Sequence, residues 1–190
     1  SLVDINGKSI IERQIETFRN NGIKEIIVII GPNKDKFQLK NIEYVIDKNF
    51  HDHEQLGSLM VANKHFQNDV VISFGDVIVD NKIMKQVIES TYDMGVAIDL
   101  NWEKKYENRT QHPKSEADLV LIKSNKLIKI KKNLNPTENH QLGEFLGIMK
   151  LSNVGSKKFL NIFERLNSSH QGEFHDASSL QKAYLTDMID

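Results

Sequence analysis

Five stretches of the chain carry residue types that could do chemistry. Phe74-Gly75-Asp76-Val77 follows the apolar run Val70-Val71-Ile72, which places a carboxylate at the end of a strand, beside a glycine. In open α/β sheets ligands bind beyond the carboxyl ends of the strands. Mg²⁺ takes one or two carboxylates and completes its shell with substrate phosphates and water. Asp76 is therefore a candidate Mg²⁺ ligand, with Gly75 leaving room for what it binds; a turn or N-cap aspartate explains the same residues about as well. Gln55-Leu56-Gly57-Ser58-Leu59 puts a Gly-Ser pair at a helix start, where backbone N–H groups can face a base or a phosphate; plain N-capping is the simpler reading. Gly143-Glu144-Phe145-Leu146-Gly147 holds a carboxylate between two glycines ahead of a strand, which suits either close approach of a ligand or a β-bulge. Asp99, Trp102 and Glu103 close another strand and could hold a cation by ion pairing and cation–π attraction. The plainer alternative is a surface aspartate and a partly buried tryptophan. Finally, His51 and His53 alternate with Asp52 and Glu54, but no third ligand follows at a recognisable spacing, so zinc is not expected.

Other chemistries are excluded. The chain has 190 residues, 25 Lys+Arg against 26 Asp+Glu, and no Cys. Near-neutral charge argues against a general nucleic-acid binder, and the missing thiols exclude disulfide scaffolds and thiol catalysis. The longest apolar run, Ile26 to Ile30, is far too short to span a bilayer, and there is no signal peptide. These features predict a cytoplasmic protein. No Gly-x-Ser-x-Gly elbow, Walker loop or Gly-x-Gly-x-x-Gly is present.

The elements that must position these residues are legible as an alternation. Ser9-Ile10-Ile11-Glu12 is a capping box, and Ile11, Ile15 and Phe18 recur at helical spacing up to Asn21-Gly22. Residues 25–30 read as a strand buried on both faces. Strands then follow at 42–46, 69–74 and 95–100, with helices at 56–66 and 82–91. Residues 117–123 and 127–130 flank Ser124-Asn125-Lys126 as a β-hairpin. A strand at 145–151, a helix at 153–167, a polar loop and a helix at 180–189 complete the chain, and 101–116 and 132–144 read as long polar loops. Alternation of this kind predicts one α/β domain over 1–190, a three-layer sandwich with a mixed, mostly parallel sheet.

Taken in order, the motifs resemble a known family. Leu2-Val3-Asp4-Ile5-Asn6-Gly7-Lys8-Ser9-Ile10-Ile11-Glu12 and Gly22-Ile23 to Val28 resemble the segment that follows the phosphate loop of nucleotidyltransferases with the MobA-like, sugar-nucleotidyltransferase fold. Ser58-Leu59 is similar to that family's base-contacting helix start, and Gly75-Asp76 to its metal-binding Gly-Asp. Arg109-Thr110-Gln111-His112-Pro113, Gly143 to Gly147, and Ala183-Tyr184-Leu185-Thr186-Asp187 resemble one branch. That branch is the phosphocholine and phosphonate cytidylyltransferases, including domains associated with phosphoenolpyruvate mutase. The resemblance implies the Rossmann-like nucleotide-diphospho-sugar transferase fold. It also implies that the family's Gly-rich phosphate loop, its central first strand and its second metal-binding Asp lie outside these residues.

The implied reaction transfers CMP from CTP to a phosphorylated or phosphonylated amino alcohol, of the phosphocholine or 2-aminoethylphosphonate type, releasing pyrophosphate. By resemblance, Asp76 would hold Mg²⁺. Leu56, Gly57, Ser58 and Gly75 would line the nucleotide, CTP or another triphosphate. Asp99, Trp102, Glu144 and Tyr184 would face the acceptor. No nucleic acid or membrane partner is expected, and a homodimer is compatible with the branch. A sugar-1-phosphate nucleotidyltransferase and a non-catalytic nucleotidyltransferase-like binding module are the competing readings.

Overall fold

Asn6-Gly7 opens the structure with a turn that calls for positive φ at both residues, and both have it, at 53° and 80°. This closes a small antiparallel hairpin of β1 (Asp4–Ile5) and β2 (Lys8–Ser9), the type the Asn-Gly pair favours. The computed structural model describes all residues, 1–190. Ser9 then caps α1 (Ile10–Asn20), with Glu12 returning the bond to the Ser9 N–H. The chain continues through β3 (Ile27–Ile30), β4 (Glu43–Ile46), α2 (Gln55–Met60), β5 (Val70–Ser73), α3 (Asn81–Ile88) and β6 (Met94–Asp99). It ends with β7 (Asp118–Lys123), β8 (Lys126–Lys132), β9 (Gln141–Leu151), α4 (Asn153–Ser169) and α5 (Leu185–Ile189).

The strands form three sheets, the β1–β2 hairpin, the pair β3–β4, and a five-stranded sheet of β5 to β9, and parallel pairing is rarer than the alternation predicts. Only β3 and β4 pair in parallel, Ile27 opposite Glu43 through Ile30 opposite Ile46. The reason is β9, the longest strand, which runs antiparallel to β5, β6 and β7. Leu151 faces Val70 on one side and Met94 on the other, so β9 lies between β5 and β6. Those two strands keep a common direction yet never touch as a parallel pair. Glu144 likewise stands between Asp99 of β6 and Leu119 of β7.

Side-chain alternation along β9 builds the layers. Met149 and Leu151 face Leu56 and Met60 of α2, Phe159 of α4 and Leu185 of α5. Ile148 points the other way, toward Met84 of α3 and Phe18 of α1, with Val71 and Ala97. This is the three-layer sandwich. Lys150 is buried among the second set, and its ammonium caps α3 by donating to the Ile88 and Ser90 carbonyls at 2.9 and 2.7 Å. A groove of about 760 Å³ separates β3 from β5 beside α1, lined by Ile27, Ile29, Val70 and Ile72 among others. No helix is long and apolar enough to cross a membrane.

Three of the element boundaries that differ from the sequence reading bear on the candidate site. The helix expected over 56–66 stops at Met60 and gives way to a 3₁₀ turn at Asn63–His65. The last helix is split: Leu180–Lys182 is a 3₁₀ turn, and α5 starts only at Leu185. The Ala183 carbonyl is turned toward α2, where it accepts from the Leu56 N–H. β9 begins at Gln141, so Gly143 and Glu144 lie within a strand.

Candidate active site

Asp76 sits in the turn that leaves β5, with its side chain exposed. Its carboxylate makes no hydrogen bond or ion pair within the chain, unlike the capping aspartates Asp4, Asp80 and Asp187. The turn itself is held firmly. The Phe74 N–H donates to the Gly147 carbonyl, and the buried Gln14 amide donates to the carbonyls of Phe74 and Val77, at 2.7 and 2.5 Å. A free carboxylate on a fixed turn fits one part of a Mg²⁺ shell. No three His, Cys, Asp or Glu side chains converge to form a whole one. That donor set suits an ion that takes its remaining ligands from substrate phosphates and water.

The α2 start is more enclosed than its sequence suggests. Leu56 is fully buried in the core. Gly57 is glycine because a Cβ there would collide with the Gln181 carbonyl and the His53 ring. Ser58 donates its hydroxyl to Asp47 Oδ2 at 2.7 Å, and His53 Nδ1 lies 3.0 Å from the same oxygen. Asp47, at the end of β4, is 2% exposed and also accepts from the Asn49 N–H. Burial alone would raise its pKa; the bonds from Ser58, His53 and Asn49 outweigh burial and hold it below the usual aspartate value. Asp47 thus ties the end of β4 to the start of α2, a role the sequence reading did not assign.

The two glycines around Glu144 admit protein. A Cβ on Gly143 would strike the Ile98 side chain, and one on Gly147 would lie 2.7 Å from the Phe74 ring. They let β6 and the Asp76 turn press against β9. That contact brings Asp99 and Glu144 together as direct cross-strand partners. Because β5 and β6 run the same way, these carboxylates lie at the same end of the sheet as Asp76. Each is already engaged. Lys105 sits 2.5 Å from Asp99 and, through its hydrogen bond, holds that carboxyl below the usual range. Tyr106 donates its hydroxyl to Glu144. Burial, then the hydrogen bond to Glu144 and its charge, pushes the Tyr106 phenol up to about 12. Arg109 lies 4.3 Å over the Tyr106 ring. Trp102 is buried edge-on against Tyr106, in a cluster with Ala117 and Leu119. Trp102 is thus more buried than either sequence reading has it.

Tyr184 lies with Lys132 and Asp118, the residue next to the Leu119 partner of Glu144. It is exposed, with the Lys132 ammonium 5.9 Å from its ring centre, and its N–H is capped by Asp187. Asp118 lies opposite Lys132 across the β7–β8 ladder. Burial, reinforced by Asp187 and other nearby carboxylates, raises the Asp118 pKa despite Lys132. Tyr106, Asp47 and Gln14 were not singled out in sequence, and Arg109 and Asp118 had no role there beyond the motif that Arg109 opens. Two left a signal. Gln14 breaks the apolar face of Ile11, Ile15 and Phe18, and Asp47 ends a strand as Asp76 does.

Comparisons with known proteins bear on the family and the fold. Residues 1–125 match the model of the MobA-like NTP transferase domain. The CTP:phosphoglutamine cytidylyltransferase of Campylobacter jejuni is 21% identical over 99% of this chain and 77% of its own length. The choline-phosphate cytidylyltransferase of Streptococcus pneumoniae is 30% identical over 48% of this chain and 42% of its own. Among solved structures, the inositol-1-phosphate CTP transferase of T. maritima superposes with TM-score 0.69 at 12% identity, over 99% of this chain and 69% of that one. The CTP:phosphocholine cytidylyltransferase of Streptococcus pneumoniae gives 0.59 at 17% identity, over 99% and 73%. At such identities the structures speak for the fold alone: that of the nucleotide-diphospho-sugar transferases. With two thirds of its length matched by the family model, from β1 through β7, the chain belongs to the MobA-like NTP transferase domain family.

Proposed function

We propose that this domain transfers CMP from CTP to a small acceptor that carries a phosphate or phosphonate and a cationic amino group, releasing pyrophosphate. The cytidylyl part is supported by the relatives, both of which bear cytidylyltransferase names. The acceptor part is carried by one observation: the adjacent carboxylates Asp99 and Glu144 at the sheet end that bears the free carboxylate of Asp76. An ammonium is also the group Asp99 already holds, from Lys105.

Transfer of this type needs positioning and charge neutralisation more than covalent help from protein. Asp76 would hold Mg²⁺, which when bound supplies positive charge to the α-phosphate and the acceptor phosphoryl group. Ser58 and the α2 start would face the base, fixed in place by Asp47. Asp99 and Glu144 would take the acceptor ammonium, with the Lys105 ammonium giving way to it. Tyr106 would hold Glu144 in place through its hydroxyl, with Arg109 stacked over the Tyr106 ring. Held this way, the acceptor would present its phosphoryl oxygen to the α-phosphorus, with pyrophosphate as the leaving group.

The test is pyrophosphate release by the full-length protein across a panel of nucleotides and acceptors. Turnover with CTP and phosphocholine, phosphoethanolamine or 2-aminoethylphosphonate is the expected result. Turnover only with a sugar 1-phosphate would replace the acceptor reading, and none with any pair would leave a binding module. Asp99→Ala or Glu144→Ala should raise the acceptor KM more than the CTP KM.

A further inference from the structure

Gln14 is the only buried polar residue on the inward face of α1, among Ile11 and Ile15. It is 6% exposed, and an uncharged amide in such a place is costly unless its hydrogens find acceptors. A glutamine NH₂ has two donors. Both are used on one short stretch, the carbonyls of Phe74 and Val77, the first and last residues of Phe74-Gly75-Asp76-Val77. The contact joins residues about sixty positions apart in sequence, and it adds to the bond from the Phe74 N–H to the Gly147 carbonyl. The same stripe of α1 continues the contact. Thr17 donates to the Val79 carbonyl at 3.4 Å, and Asn21 donates to the Asn81 side chain at 3.1 Å. Residues 14, 17 and 21 share one helical face, so α1 runs as a polar ruler along 74–81.

We infer that Gln14 is a positioning residue for Asp76: its side-chain amide sets the turn that aims the Asp76 carboxylate at the phosphate-bound cation. This rests on the proposed role of Asp76. Gln14 touches neither nucleotide nor acceptor. It acts by clamping two backbone carbonyls, which is why no charged or nucleophilic signature marks it. A thioether of similar length fills the space and donates nothing, which releases both carbonyls. A carboxylate repels them when ionised, and when protonated it donates one bond.

The experiment uses the full-length protein with Gln14→Met, Gln14→Glu and Asp76→Asn. Two quantities are read: the Mg²⁺ concentration at half-maximal turnover, and the Mn²⁺ dissociation constant by electron paramagnetic resonance in the presence of a non-hydrolysable CTP analogue. Gln14→Met should raise both by at least tenfold and leave the acceptor KM within twofold. Gln14→Glu should recover relative to wild type as pH falls, which loss of packing alone would not produce. Unchanged Mg²⁺ and Mn²⁺ dependence in folded Gln14→Met, with Asp76→Asn inactive, overturns the inference. An active Asp76→Asn overturns the reading of Asp76 instead. If neither Gln14 variant folds, nuclear magnetic resonance of the wild type decides. The Gln14 side-chain amide protons must be protected from exchange and must shift with the Asp76 amide on addition of Mg²⁺ and the analogue. An amide that exchanges freely or stays unshifted overturns the inference.

Discussion

Replacing Gly147 by alanine should cost more than any other glycine-to-alanine change with positive φ in this chain, for two separable reasons. Gly147 has φ +70°, a left-handed conformation that an L side chain resists, at about 1–2 kcal/mol. Its Cβ would also meet the Phe74 ring at 2.7 Å and Val77 Cγ2 at 3.2 Å. Phe74 is itself packed edge-on against Phe145, so the ring has little freedom to retreat, and overpacking of this kind costs about 1–3 kcal/mol. The sum is about 2–5 kcal/mol. For a domain of this size each kcal/mol moves Tm by about 2–4 °C, so the fall should be about 4–20 °C. Gly22 supplies the control: φ is +84° with nothing within 4 Å, so Gly22→Ala bears the conformational cost alone, about 1–2 kcal/mol. Urea denaturation of both variants separates the terms. Equal losses would refute the argument that Phe74 occupies the space of the missing Cβ. The contact also reaches the site, because Phe74 and Val77 bracket Gly75-Asp76. Gly147→Ala should therefore lower turnover well below its Tm, and Gly22→Ala should not.

Tyr106→Phe removes the hydroxyl donated to Glu144. Bonds to charged groups are worth about 1.5–3 kcal/mol, and at the low end the acceptor KM rises about tenfold with the CTP KM unchanged; equal movement of both constants in a steady-state assay would contradict the assignment. Acid and neutral stability should depend on two aspartates in opposite senses. The Asp47 pKa is depressed on folding, so its contribution is complete above the unfolded value of about 3.9 and is lost as pH falls through the folded value. Asp47→Asn should abolish that part of the acid limb in urea midpoints measured against pH. The Asp118 pKa is raised, so stability declines as pH climbs from the unfolded value through the folded one, and Asp118→Asn should be more stable than wild type at pH 7. A flat or inverted difference curve for either variant would contradict its environment as described.

Local signals carried much of the fold. The capping box at Ser9, the β-branched run before Gly31, and the apolar spacing of α4 each set a local backbone preference strong enough to survive folding. The position of β9 was not local. Nothing within residues 141–151 states that they separate β5 from β6, because antiparallel insertion is decided by the partners' edges. The site divides in the same way. Asp76 stood out because it follows a strand and a glycine, yet Asp47 also ends a strand and is bound wholly within the protein, so position alone does not separate the two. The glycines at 57, 143 and 147 looked open to ligands, yet the Gln181 carbonyl, Ile98 and Phe74 occupy the space beside them. A glycine reports that something approaches closely, and only the assembled structure says what. Trp102 was drawn into the core by Ala117 and Leu119, residues that lie beyond an irregular loop.

The account turns on whether Asp76, Asp99 and Glu144 serve one reaction. Phosphorus nuclear magnetic resonance of the full-length protein with CTP, Mg²⁺ and an amino-alcohol phosphate or aminoalkylphosphonate tests this most directly. The account predicts a new phosphoric or phosphonic anhydride with CMP, an equal amount of pyrophosphate, and loss of both signals in Asp76→Asn. Transfer confined to sugar 1-phosphates, or turnover by Asp76→Asn near that of wild type, would contradict it.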